Sequence, residues 1–140
     1  MNAVEIPWPP AALSPNSRPH YMLKHRETKR YRELAAYRAN GKKRLRNPVI
    51  AVLPLVATRR RRDLDNVLAS LKSALDGLTD AGWWNDDSDI VGITIRKPLF
   101  LPKSGENRII IVADEASNED RLVRMMQRQD PPFDGSGLVP

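Results

Sequence analysis

The stretch RRRRDLDNVLASLK, residues 59–72, sets Arg59, Arg60, Arg61 and Arg62 directly against Asp63 and Asp65. Arginines suit phosphate, and carboxylates repel it, so the two together call for a third, positive party that is not part of the chain. Hard divalent cations such as Mg2+ take oxygen ligands and join carboxylates to phosphate groups. Asp63 and Asp65 are two residues apart, a spacing that puts both side chains on one side of an extended chain but turns them apart inside a helix. They precede a predicted helix, so extended geometry is expected, with Asp65 or Asn66 as the N-cap. A cap would explain Asp65 alone; it leaves Asp63 without a local role. A second acidic group, Asp86, Asp87 and Asp89 in WWNDDSDI, precedes the next predicted strand. By itself it is a polar turn. A helix followed by a returning strand is expected to bring residues 86–89 back to the helix start, where three or four carboxylates would converge. The arginines would then hold the backbone, the aspartates the metal, and the metal the scissile phosphate.

Lys72 lies seven residues after Asp65, close to two helical turns, and shares roughly one face with it. It could stabilise charge developing on a phosphate; the ordinary alternative is an i, i+4 ion pair with Asp76. Trp83 and Trp84 could stack on bases, but a pair beside a helix stop is more often core or subunit interface. His20 and His25 are too few and too distant to suggest zinc or a general base. The basic stretch containing Lys24, Arg26, Lys29 and Arg30, and the KKRLR segment, would meet phosphate or form a solvated face.

These residues sit in a chain of 140 residues, 41% apolar and 29% charged, with net charge +6 and a pI near 10.0. That balance favours an anionic partner such as nucleic acid. The charge is uneven: residues 18–46 carry eleven Lys or Arg against Glu27 and Glu33, a net of +9, whereas residues 113–140 carry a net of −3. Cysteine is absent, which excludes disulfides and thiolate metal sites and fits a reducing cytoplasm. No apolar run approaches the roughly 18 residues of a membrane span, and MNAVEIPWPP lacks signal-peptide character. The expectation is a cytoplasmic protein without a membrane partner.

The elements that must position the site follow from periodicity. Val4 to Ile6 reads as a short strand stopped by Pro9 and Pro10, and residues 11–25 as a proline-punctuated loop. Residues 26–39 read as a helix with Tyr31, Leu34, Ala35 and Arg38 near one face, closed by Gly41. PVIAVLPLVA, 48–57, is a β-branched strand in which Pro54 argues for an edge or a bulge. A second helix runs from about Asn66 to Ala81 and stops at Gly82. IVGITIRK and NRIIIVAD, joined through PKSGEN, read as a C-terminal β-hairpin. The expected fold is α+β: a small mixed sheet with two main helices packed on it. One domain covers 1–116, and 117–140, ending in PPFDGSGLVP, reads as an acidic, mobile tail.

With these pieces in order, the chain resembles the RusA family of Holliday junction resolvases over roughly residues 4–113. The likeness rests on IPWPP, RRRRDLDN, SLKSALDGLTDAG and WWNDDSDIV, followed by a closing β-hairpin. Position by position, Asp63 and Asp65 match the two aspartates of the family's DLDN motif, and Asp87 matches its third catalytic aspartate, with Asp86 beside it. Lys72 matches the family's essential lysine if the helix carries about three extra residues, VLA, after DLDN; without a gap Ala69 would fall there. The resemblance implies a homodimer with two Mg2+-dependent sites, in which Mn2+ would substitute, cutting paired strands of four-way-junction DNA. It makes Asp63, Asp65, Asp87 and Lys72 catalytic, and Asp63, Asp65, Asp86 and Asp87 metal ligands; the chain's own charge pattern adds Arg59, Arg60, Arg61, Arg62, Lys24, Arg26, Lys29 and Arg30, with Asn66, as expected DNA contacts. A phage or prophage origin fits so compact an enzyme.

The competing readings are a basic protein that binds junctions without cutting them, a nuclease for other branched DNA or RNA, and an RNA-associated protein. Pure binding would run better without Asp63 and Asp65 beside phosphate, and an RNA-associated protein would leave those aspartates without work.

Overall fold

Every residue of β2 (Pro48–Val56) is buried. A strand buried along its whole length is covered on both faces, and the two-residue alternation sorts its side chains. Ile50 and Val52 enter one apolar cluster with Ile109, Ile111, Leu71 and Leu78; Val49, Ala51, Leu53 and Leu55 enter a second with Ile110, Val112 and Leu122. The computed structural model describes residues 1–127. Around β2 they form β1 (Asn2–Pro7), α1 (Tyr21–Ala39), α2 (Leu64–Ser70), α3 (Lys72–Asp80), β3 (Gly92–Ile95), β4 (Leu99–Phe100), β5 (Arg108–Glu115) and α4 (Glu119–Gln127). The strand order is β1-β5-β2-β3, and β4 continues the line of β3 along β2. β5 is antiparallel to both neighbours, whereas β3 and β4 run parallel to β2. Helices α1, α2 and α3 supply Tyr31, Ala35, Val67, Ala74 and Leu78 to the first cluster, joined by Leu71 between α2 and α3, and α4 covers the opposite face with Leu122.

The α+β class and mixed sheet are as expected, but the C-terminal hairpin is not what forms. β3 and β5 lie on opposite sides of β2. The physical reason is that Ile109 to Ala113 are apolar on both faces, so β5 belongs inside the sheet, between β1 and β2. The intervening chain crosses the end of β2, where the Leu101 amide bonds the Val56 carbonyl at 2.7 Å and Asn107 Oδ1 accepts from the Ala57 amide at 2.8 Å.

Pro54 is accordingly not on an edge. The carbonyls of Val52 and Val56 accept from Arg96 and Leu101, so that side of β2 faces β3 and β4, and Pro54, midway between them, faces the same way. Ile95 pairs with Val52 and Leu99 with Leu55, so the missing donor falls level with the gap between β3 and β4.

Three further boundaries differ. α1 begins at Tyr21, not residue 26, because His20 Nδ1 accepts from the Met22 amide at 3.2 Å and caps it. The second helix begins at Leu64 and is interrupted at Leu71, whose φ of −93° and ψ of 0° leave the α region. Residues 119–127, placed in a mobile tail by composition, form α4; residues 128–140 lie outside the described part. Gly41 and Gly82 do stop the helices, each at positive φ, +82° and +84°. Trp83 and Trp84 are both core, and the Trp83 indole donates to the Ala39 carbonyl at 2.9 Å.

The topology has two ends. Pro7, Val56 and Arg108 mark the upper end, where β2 finishes; Asn2, Pro48 and Glu115 mark the lower end, where it begins. α1 runs from upper to lower: the Tyr31 hydroxyl donates to the Pro7 carbonyl at 2.7 Å, and Ala39 meets Trp83. The N-terminal half of α1, with Lys24, Arg26, Lys29 and Arg30, therefore lies toward the upper end.

α1 packs on α3 through Gly77. A Cβ there would meet the Arg32 carbonyl oxygen at 2.3 Å and the Ala35 Cβ at 3.0 Å. Alanine gains about 1 kcal/mol of helix propensity over glycine, but the carbonyl is backbone and must move. We expect Gly77→Ala to destabilise the fold by about 2 kcal/mol net, read from the denaturant midpoint; an increase in stability would show that the two helices part freely.

Candidate active site

The upper end carries an open cleft of about 490 Å³, lined among others by Trp8, Pro10, Arg60, Arg62, Asp63 and Asn66. The four arginines do different jobs. Arg62 folds inward: its guanidinium donates to the carbonyls of Thr58 at 3.2 Å and Arg60 at 3.0 Å, and lies 5.3 Å from the centre of the Trp8 ring. Burial, and then the like charge of Arg60, draw its pKa below the ordinary value. Arg59 lies over the Phe100 ring at 4.3 Å. Arg60 and Arg61 point to solvent, and the Arg61 side chain is 95% exposed.

Asp63 is the N-cap of α2, not Asp65 or Asn66. Its backbone is extended and its carbonyl accepts from the Val67 amide at 3.1 Å, yet its side chain makes no capping bond. The carboxylate is 57% exposed, with Arg61 Nε at 3.9 Å. Asp65 sits in the first turn of α2, exposed, where the helix dipole favours a negative charge. The pair thus straddles a strand-to-helix change, and the shared extended face expected from the spacing does not form. Asn66 is half-buried at the floor of the cleft.

The second acidic group is built around α3 at the lower end. Val91 donates to the Pro48 carbonyl at 2.8 Å, which fixes the preceding turn beside the beginning of β2. Asp86 caps that turn, accepting from Ser88 through both its amide and its hydroxyl, and these bonds hold its carboxyl below the usual range. Asp87 is turned the other way and accepts from the Thr79 hydroxyl. That hydroxyl in turn accepts from the buried Trp84 indole at 2.6 Å, so the one proton it has left goes to the charged acceptor, with the Leu75 carbonyl more distant at 3.3 Å. The Asp76 carboxyl is raised above the usual range, chiefly by burial, and the neighbouring Asp87 adds to the rise. Lys72 Nζ is 3.9 Å from Asp76, the ion pair that spacing suggested, and its side chain is 82% exposed. One helical turn on, Asp80 accepts two bonds from Arg32, at 2.6 and 2.8 Å, tying α3 to α1.

The expected convergence within one chain is therefore not found. Asp63 and Asp65 lie at the upper end of the sheet, and Asp86, Asp87 and Lys72's partner Asp76 belong to a separate group. Among the described residues, no three histidine or acidic side chains are gathered into a group that could hold a metal ion. The reason is the parallel pairing of β3 with β2: a helix that leaves the end of a strand and returns to a parallel neighbour delivers the chain to that strand's beginning. Thr79 was missed as the partner of Asp87, and Trp8 as the partner of Arg62.

The sequence matches the family described as Endodeoxyribonuclease RusA over residues 9–112. The chain belongs to this family of nucleases. Two curated relatives, both named crossover junction endodeoxyribonuclease RusA, come from Escherichia coli strain K12 and Shigella sonnei. Each is 32% identical over 127 residues, covering 84% of this chain and 97% of the relative. A third, named crossover junction endodeoxyribonuclease rusA, from Enterobacteria phage 82, is 30% identical over 126 residues, covering 83% and 96%. Among the described residues no helix is long and apolar enough to cross a membrane.

The division among the arginines has a measurable consequence. We expect Arg62→Ala to lower stability by about 1 kcal/mol through loss of its backbone bonds and ring contact. Arg61→Ala should leave the melting temperature unchanged. Equal effects of the two substitutions would contradict the inward role of Arg62.

Proposed function

We propose that this chain, over residues 1–116, is a divalent-metal-dependent endodeoxyribonuclease that cuts paired strands of four-way DNA junctions as a homodimer. The observation that carries the reading is Asp63: a carboxylate at a helix start that caps nothing, in a cleft beside Arg60 and Arg62, in a chain of the RusA nuclease family. Although Arg61 lies 3.9 Å away, an exposed carboxylate there repels phosphate, a cost to DNA binding unless it also holds a cation.

The donors available are all carboxylate oxygens, which suits Mg2+, with Mn2+ as its substitute. Asp63 and Asp65 from one copy of the homodimer, with Asp87 and the adjacent Asp86 from the other, would hold the ion. When bound, it would polarise the phosphate and lower the pKa of water. The chain's own groups set the geometry. Arg59, Arg60 and Arg61, with Lys24, Arg26, Lys29 and Arg30 from α1, lie toward one end and would seat the DNA backbone; Arg62 holds the loop that carries them, and Asn66 lines the cleft. Lys72, exposed at the break between α2 and α3, would stabilise charge on the cleaved phosphate.

A labelled four-way junction incubated with Mg2+ tests this directly. We expect Asp63→Asn, Asp65→Asn and Asp87→Asn each to abolish cleavage while junction binding is kept or strengthened. Cleavage by all three variants would remove the assignment, and an intact junction at excess wild-type protein would favour the binding-only reading. Arg60→Ala with Arg61→Ala should weaken binding and reduce the slope of log affinity against log salt by about one unit per lost contact; an unchanged slope would place the DNA elsewhere.

A further inference from the structure

The first six residues of α1, Tyr21 to Arg26, are exposed without exception. Six consecutive positions pass more than once round a helix, so this stretch rests no face on the body of the protein and projects from it. A projecting helix end is expected to be polar. This one carries Tyr21 at 75% exposure, with Met22 and Leu23 beside it also exposed. Single exposed apolar residues are ordinary, but three in succession on a free helix end make a patch that folding does not account for. The His20 and Tyr21 rings lie 4.6 Å apart, inclined by 31°. His20 is held by the capping bond it accepts from the Met22 amide at 3.2 Å. The two rings therefore form a supported double layer, with Tyr21 open to solvent.

Charge selects the occupant of this patch. No acidic residue lies between Glu5 and Glu27, while Arg18, Lys24 and Arg26 flank the rings along the chain. Glu27 itself is offset by Arg26 at 3.9 Å and Arg30 at 3.6 Å. Two such ends meeting each other would bring like charges together, which disfavours a second copy as the partner. A polyanion that also offers flat apolar faces satisfies both the cations and the rings, and a DNA strand with unpaired bases is such a polymer. In an intact duplex the base faces cover one another, so a strand opened at a branch is the one with a face to offer. The patch is within reach of the cleft. Asn16 lines the cleft and His20 is four residues on, no more than about 14 Å away along the chain. At about 3.4 Å per nucleotide of a strand, that reach is about four nucleotides.

We propose that Tyr21, backed by His20, is a stacking platform for an unpaired DNA base, with Arg18, Lys24 and Arg26 on the flanking phosphates. The platform gives the chain a preference for opened, branched DNA over duplex. Phosphate contacts cannot supply that preference, because they carry no information about the bases. The platform's part in cleavage rests on the reading of the chain as a branched-DNA nuclease whose reacting phosphate lies in the cleft, and the test separates the two.

Four-way junctions carrying 5-iodouracil at single positions around the branch point are bound without divalent metal and irradiated, and the crosslinked residue is identified by mass spectrometry. We expect a crosslink to Tyr21 from at least one position, and none from the same sequences in linear duplex. Tyr21→Ala should lower junction affinity roughly tenfold and duplex affinity little. Tyr21→Trp should keep junction affinity. Tyr37→Ala, which removes a tyrosine 82% exposed on the same helix, should leave both affinities unchanged. Because Tyr21 is exposed, the melting temperature of Tyr21→Ala should match wild type. An unchanged junction affinity in Tyr21→Ala, a loss equal for junction and duplex, or crosslinks that fall on other residues alone would overturn the platform. So would a change in sedimentation of Tyr21→Ala without DNA, which would assign the patch to a contact between copies. A junction left intact in Mg2+ by wild type, with the crosslink and the tenfold loss retained, would sink the nuclease reading and leave the platform standing.

Discussion

The parallel pairing of β2 with β3 is the constraint from which most of this structure follows. It obliges the chain, having left the end of β2 at residue 56, to return to residue 48 before it can pair again, and the helices α2 and α3 cover that distance. It thereby separates two acidic groups that stand close in the sequence, and places a different chemistry at each end of the sheet. The upper end has the cleft, the exposed arginines and a carboxylate that caps nothing. The lower end has a carboxylate fastened to a threonine and, through it, to the core. β5 then closes the sheet between β1 and β2, which leaves β3 outermost.

Several parts of this were legible in the residues. The positive-φ glycines, Gly41 and Gly82, announce the helix stops because only glycine adopts that backbone freely, and the apolar run of β2 announces a buried strand. The tryptophan pair was recognisable as core from its place beside a stop. What misled were features whose meaning depends on neighbours far along the chain. Two apolar runs with a glycine-containing loop between them look like a hairpin; only competition for the place beside β2 shows that they are not. Pro54 looks like an edge residue until the gap between β3 and β4 supplies an edge locally.

The candidate site was legible in composition and not in geometry. Asp63, Asp65, Asp87 and the arginines could be named as candidates from their types and spacing. Their arrangement could not. Whether Asp63 or Asp65 caps the helix turns on where the backbone leaves the extended region, a choice that two carboxylates at neighbouring positions do not decide. Asp86 and Asp87 are adjacent and chemically identical, yet one is spent on Ser88 and the other is directed to Thr79. The interruption at Leu71 falls two residues after the VLA stretch, and no residue type there announces it; the break resets the facing of Lys72, which meets Asp76.

The close approach at Gly77, reinforced by the Arg32–Asp80 bonds, makes α1 and α3 a single rigid body. α1 carries a row of cations and α3 carries the threonine that fixes Asp87. The two helices together would act as a ruler: a polyanion gripped by that row of cations would be held at a set offset from the carboxylate, its length written in helical turns instead of in loop conformations.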